Sequence, residues 1–234
     1  MLHTKFKCIF LTFILIGLGY VKSLEWDNNE LNPNEVIALN ASNDIGSAKQ
    51  NENVDQLTPK DQLLYFTLIA FRDISQNYVD RAANISQDII KDEDLKRNDS
   101  PIIKEFRKNI TDFLQQYEKY EELDELFNLV DLYSNTTSQY FEMDTAKATV
   151  DMLSIESKLK KYGSDDLDRE FEKQFLLFVD RFYAEMQGYK EKLSQDEMKK
   201  EAAPMFEWLE EFKPIQNIEE KILSFEKFFR FYED

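Results

Sequence analysis

Histidine and cysteine do most of the acid–base, nucleophilic and metal-binding chemistry available near neutral pH, and this chain of 234 residues has one of each, His3 and Cys8. Both fall in a segment that reads as a leader. Lys5 and Lys7 precede an apolar run from Cys8 to Tyr20, and Val21-Lys22-Ser23 resembles a small-residue cleavage site, so residues 1–23 are expected to be a secretory signal peptide. The run is 13 residues long, and a membrane-spanning helix needs about 20. Cleavage after Ser23 leaves a mature chain with neither residue type. That excludes thiol and imidazole nucleophiles, a histidine general base, disulfide-linked oligomers and nearly every zinc or iron site.

The remaining chemical candidates are weak. Ser157-Lys158-Leu159-Lys160 and Ser224-Phe225-Glu226-Lys227 match the S-x-x-K pattern of serine acyl-transferases, but the accompanying S-D-N and K-T-G elements are missing. Paired carboxylates could hydrolyse a glycoside, yet 46 acidic residues bring some pair together in any fold. Asp92-Glu93-Asp94 and Asp165-Asp166-Leu167-Asp168 are acidic clusters without the glycine and glutamate positions of a calcium loop. The expectation is therefore a non-enzyme with no metal and no cofactor.

Five sequons fit an exported protein: Asn40-Ala41-Ser42, Asn84-Ile85-Ser86, Asn98-Asp99-Ser100, Asn109-Ile110-Thr111 and Asn135-Thr136-Thr137. Chance at this composition supplies roughly one or two. Asn40, Asn84, Asn98, Asn109 and Asn135 are thus candidate glycosylation sites, and none lies after residue 137. The charge fits a soluble extracellular chain as well. Without Lys5, Lys7 and Lys22 the 29 basic residues fall to 26 against 46 acidic ones, a net charge of −20. Such a chain repels nucleic acid and anionic membrane surfaces, and a cationic partner or simply solvated acidic helix faces fit it better.

These residues must be held by helices. The mature chain keeps only Gly46, Gly163 and Gly188, and it is rich in Glu, Lys, Leu, Phe and Gln. Residues 24–57 are polar with no apolar period and read as a disordered arm. Residues 58–234 read as one all-α domain, a bundle of five to seven amphipathic helices. Thr58-Pro59 opens the first, with Leu63, Thr67, Phe71, Ile74, Tyr78, Ala82, Ile85 and Ile89 at helical spacing. Asn84 falls about 120° from that stripe, on the solvent side. Ser100-Pro101 opens the second helix, which either breaks near Glu121-Glu122 or buries two faces. Asn135-Thr136-Thr137-Ser138 reads as a loop, and a third helical run is expected to carry Phe141, Ala148, Met152, Ile155, Leu159 and Tyr162. Gly163 ends that run, and Ser164-Asp165-Asp166 caps the next. Ser194-Gln195-Asp196-Glu197 matches a capping box, and Ile215, Ile218, Ile222, Phe225 and Phe229 mark a last helix.

Two functional readings follow. In the first, a secreted acidic glycoprotein binds another macromolecule, with Phe206, Trp208, Phe228, Phe229, Phe231 and Tyr232 as the contact patch. In the second, Phe171, Phe175, Phe178 and Phe182 line a cavity of about 300 Å³ or more for a fatty acid or sterol. The partner is accordingly a protein or a small apolar molecule, not a nucleic acid, and stable membrane insertion is not expected. Lacking histidine, the mature protein should hold nearly constant stability between about pH 5.5 and 7, unless a carboxylate is unusually raised.

Overall fold

The computed structural model describes residues 57–144, 146–200 and 202–232. The expected leader, nearly all of the expected arm and Asn40 lie outside the described residues. What is described is all-α. Among these residues nine helices follow one another: α1 (Pro59–Lys91), α2 (Glu93–Arg97), α3 (Pro101–Tyr117), α4 (Leu123–Phe141), α5 (Val150–Lys161), α6 (Ser164–Lys192), α7 (Gln195–Lys200), α8 (Ala203–Phe212) and α9 (Ile218–Arg230). The count exceeds the five to seven expected because α2 and α7 are single turns of 5 and 6 residues. A hydrophobic period cannot register over so few positions.

The starts of the helices follow from their sequences. Thr58 Oγ1 accepts from the Asp61 amide, and Pro59 takes the first position of α1, where no amide hydrogen is needed. Ser100 caps α3 through the Ile103 amide, with Pro101 behind it. The chain breaks after Tyr117, and Glu125 Oε2 accepts from the Glu121 and Glu122 amides to begin α4. Gly163 has φ +88°, a left-handed conformation that side-chain-bearing residues adopt at a cost, and it lets α5 turn directly into α6. The capping box before α7 forms as expected, with Ser194 and Glu197 bonding each other's amides.

Two expected boundaries are wrong. Asn135 to Ser138 is not a loop; it lies inside α4. Thr136 and Thr137 hydroxyls donate back to the carbonyls of Leu132 at 2.8 Å and Tyr133 at 3.0 Å. Those bonds satisfy polar side chains without leaving the helix. Phe141 consequently ends α4 rather than beginning the third run, and α5 starts only at Val150, capped by Thr149.

At 33 residues α1 is the spine. It packs along α6 on one side and against α4 and α3 on others, while α3 also lies on α4 and α5 closes against α3, α4 and α6. Every residue of its expected stripe is buried. Phe225 of α9 enters between Phe71 of α1, Phe178 and Phe182 of α6 and Phe212 of α8, with ring centroids 5.0–5.5 Å apart. Most of these rings meet edge to face, the arrangement that ring quadrupoles favour. Among the described residues no helix is long and apolar enough to cross a membrane.

Candidate functional site

Both aromatic sets pack within the bundle. Phe171, Phe175, Phe178 and Phe182 are buried on α6, and Phe182 meets Trp208, Phe212, Phe225 and Phe228 at 5.0–6.4 Å. The gap beside Phe171, bordered by Ile74, Tyr78, Leu167 and Gln174, has no room for a water molecule. The expected contact patch is likewise mostly core. Trp208, Phe228, Phe229 and Tyr232 are buried, and Phe206 and Phe231 are half-buried against the same core. The packing has a simple cause: aromatic rings of α8 meet α6, and those of α9 meet α8, α6 and α1, so the terminal cluster plugs the bundle.

The sequons fall in unlike surroundings. Asn84 is exposed on α1, where its angular position placed it. Asn98 is half-buried in the link to α3, its Nδ2 donating to Asp151 at 3.1 Å and its Oδ1 accepting from the Ser100 amide at 2.9 Å. Asn109 is half-buried on α3, and Asn135 is half-buried on α4 with its Oδ1 shut off from solvent and unbonded.

Both S-x-x-K lysines pair with carboxylates. Lys160 pairs with Glu156 at 2.6 Å. Ser224 Oγ accepts from the Trp208 indole at 3.0 Å, and Lys227 reaches Glu211 at 3.5 Å instead of the serine. Lys221 is a buried lysine outside those motifs. Burial lowers its pKa, but its ammonium caps α8 through the carbonyls of Phe212 and Lys213 and lies 4.5 Å over the Phe212 ring. A shallow depression of about 300 Å³ is lined by Ile90, Lys104, Arg107, Lys108 and Thr111. Its cations are engaged: Lys104 with Asp99, Lys108 with Asp112, and Arg107 with the Leu95 and Lys96 carbonyls ending α2.

Two buried carboxylates stand out from the acidic surface. Asp92 Oδ2 accepts from Lys158 Nζ at 2.9 Å, Tyr162 OH at 2.7 Å and Lys161 Nζ at 3.4 Å, and Oδ1 accepts from the Asp94 and Leu95 amides. Burial alone would raise its pKa. The hydrogen bonds from Lys158, Tyr162 and the Leu95 amide, with the Lys158 charge, overcome that and hold it well below the usual carboxylate range. Lys158 also grips Asp94 at 2.6 Å, so part of the first acidic cluster is already occupied by a lysine. In the second cluster Arg169 reaches Asp165 and Asp166.

Asp131, on α4, is the opposite case. It is 8% exposed, neither carboxylate oxygen has a hydrogen-bond partner, and burial pushes its pKa from 3.8 up to about 7. Sequence reasoning passed over it, although a signal existed. Asp131 stands four residues after Phe127 and three before Ser134, both buried, so it lies in phase with a second inward face of α4. The two-faced alternative considered for the stretch after Tyr120 contained this position. Comparison with protein-family models, curated proteins and solved structures finds nothing that matches this chain.

Proposed function

We propose that the chain is a secreted, acidic, N-glycosylated helical protein that acts by binding another macromolecule, without catalysis. The observation that carries this reading is where the apolar side chains go. The aromatic stripes are spent on the core, whereas Leu176 and Leu177 stand side by side on the outer face of α6, 43% and 53% exposed. Binding at a surface fits that distribution better than enclosing a ligand does. The excess of 46 acidic over 29 basic residues favours a partner with a cationic surface, and the attraction should weaken with added salt. Lack of histidine and cysteine beyond residue 8 supports the non-catalytic half of the proposal.

A lipid carrier is the competing reading, and native mass spectrometry of the protein secreted from eukaryotic cells separates the two. The expected result is a protein free of co-purified lipid, carrying sugar on the exposed Asn84 and none on Asn135. Sugar-free protein retained inside the cell would sink the export reading. A retained lipid mass would overturn the binding reading in favour of the carrier.

A further inference from the structure

Asp131 sits where α4 meets the spine of the bundle. The buried side chains that α3 contributes are Ile103, Phe106, Ile110, Phe113 and Leu114, and those of α5 are Ile155 and Leu159, none of them titratable. From α1 the titratable group is Tyr78, whose own pKa is raised by burial first and then by the charges of Asp168, Tyr133 and Asp131. On its own helix the nearby titratable group is Tyr133, with its hydroxyl donating to Ser164 at 3.1 Å. Asp168 on α6 is the other acid acting on both tyrosines. Among the described residues no lysine or arginine offsets Asp131; its shift has burial as its one cause. One turn further along α4, Asn135 Oδ1 is also buried and unbonded, as is Ser75 Oγ on α1.

A carboxylate that is buried, unpaired and unbonded is among the costliest groups a fold can hold, and taking up a proton is the cheapest remedy. We propose that Asp131 is a proton-operated switch built into the bundle: neutral when protonated, it lets α4 seat against α1, and on ionising it places an unmatched charge inside that contact and loosens it. The direction follows from the two states. Folded, the group titrates near 7; unfolded, near 3.8. The folded form therefore binds the proton more tightly, and stability rises as pH falls from about 7 toward 4. This departs from the flat profile expected of a histidine-free chain, and it stands whether or not the protein binds a partner.

Thermal melts of the full secreted chain at pH 7.5 and 5.8, at matched ionic strength, test it. The midpoint should rise on acidification by about 3–6 °C. Asp131→Asn should melt above the wild type at pH 7.5 and lose most of the pH dependence. An unchanged wild-type midpoint, or a variant that keeps the full dependence, would overturn the proposal. Should the variant fail to fold, carboxyl-carbon NMR of the wild type labelled at aspartate decides the matter alone. One resonance titrating near pH 7 is expected, and titration of every aspartate below about pH 5 would overturn the switch.

Discussion

Asp92 and Asp131 are the same side chain at nearly the same solvent exposure, 7% and 8%, and the fold pushes their proton affinities in opposite directions. Around Asp92 the desolvation cost is outweighed by five hydrogen-bond donors drawn from three places: the α2 amides, Lys158 and Lys161 of α5, and Tyr162 after it. It is both the N-cap of α2 and the point that ties α2 to α5. Around Asp131, which lies deeper below the surface, a larger cost meets no donor. Exposure alone thus says little about a buried acid; depth and the supply of donors together decide whether it is a strut or a fault. Their pH effects also separate. Asp92 stabilises the fold above the ordinary carboxylate range, and that contribution is lost as pH falls below about 4. Asp131 costs stability above about 7 and returns it as pH falls. Stability should therefore peak in mildly acidic solution.

The largest effect that would break the contrast is loss of the strut. Asp92→Ala leaves Lys158, the Tyr162 hydroxyl and the α2 amides without their acceptor, and urea unfolding at pH 7 should show a loss of about 3–5 kcal/mol. A loss under 1 kcal/mol would place Asp92 among ordinary surface acids. Next comes a change of opposite sign. Asp131→Asn should gain about 2–3 kcal/mol at pH 8, shrinking toward zero near pH 4, because it removes only the charged form. A variant destabilised equally at both pH values would show that the carboxylate has a partner. Lys158→Met sharpens the comparison by making Asp92 more like Asp131. It should cost about 2 kcal/mol at pH 7 and move the acid-induced loss of stability to higher pH. Tyr162→Phe is the mildest. Losing one hydroxyl from a carboxylate that keeps its other donors should cost about 1 kcal/mol, with the acid limb hardly moved.

Much of the scaffold around these groups was legible in the residues. Thr58-Pro59, Ser100-Pro101, Gly163 and the Ser194–Glu197 box each act locally, so their positions could be read without tertiary information. The stripe of α1 was equally plain, because a long helix repeats its period many times. Misreadings arose where a local signal met a tertiary override. Asn135-Thr136-Thr137-Ser138 has loop composition, but burial on α4 and hydroxyl bonds to the preceding turn keep it helical. Phe228 and Phe229 are neighbours about 100° apart on α9, so at least one of them would face water on an isolated helix. Both are buried because α9 lodges among α1, α6 and α8 and is covered on two sides. Asp131 was visible only as an acid in an apolar phase. Whether such an acid finds donors depends on helices brought beside it from elsewhere in the chain, and no spacing records that.

The Tyr232 hydroxyl donates to the Lys60 carbonyl at 3.0 Å, joining the first turn of α1 to the segment just after α9 across 172 positions of sequence. Phe225 and Phe229 reach Phe71 through the same closure. A ribosome makes α1 long before α9, so the spine emerges with its apolar stripe bare and waits for its last neighbours until α9 has emerged as well. Nascent chains stalled before Phe225 should consequently engage chaperones and fall to proteases, and the core should close only once α9 has left the ribosome.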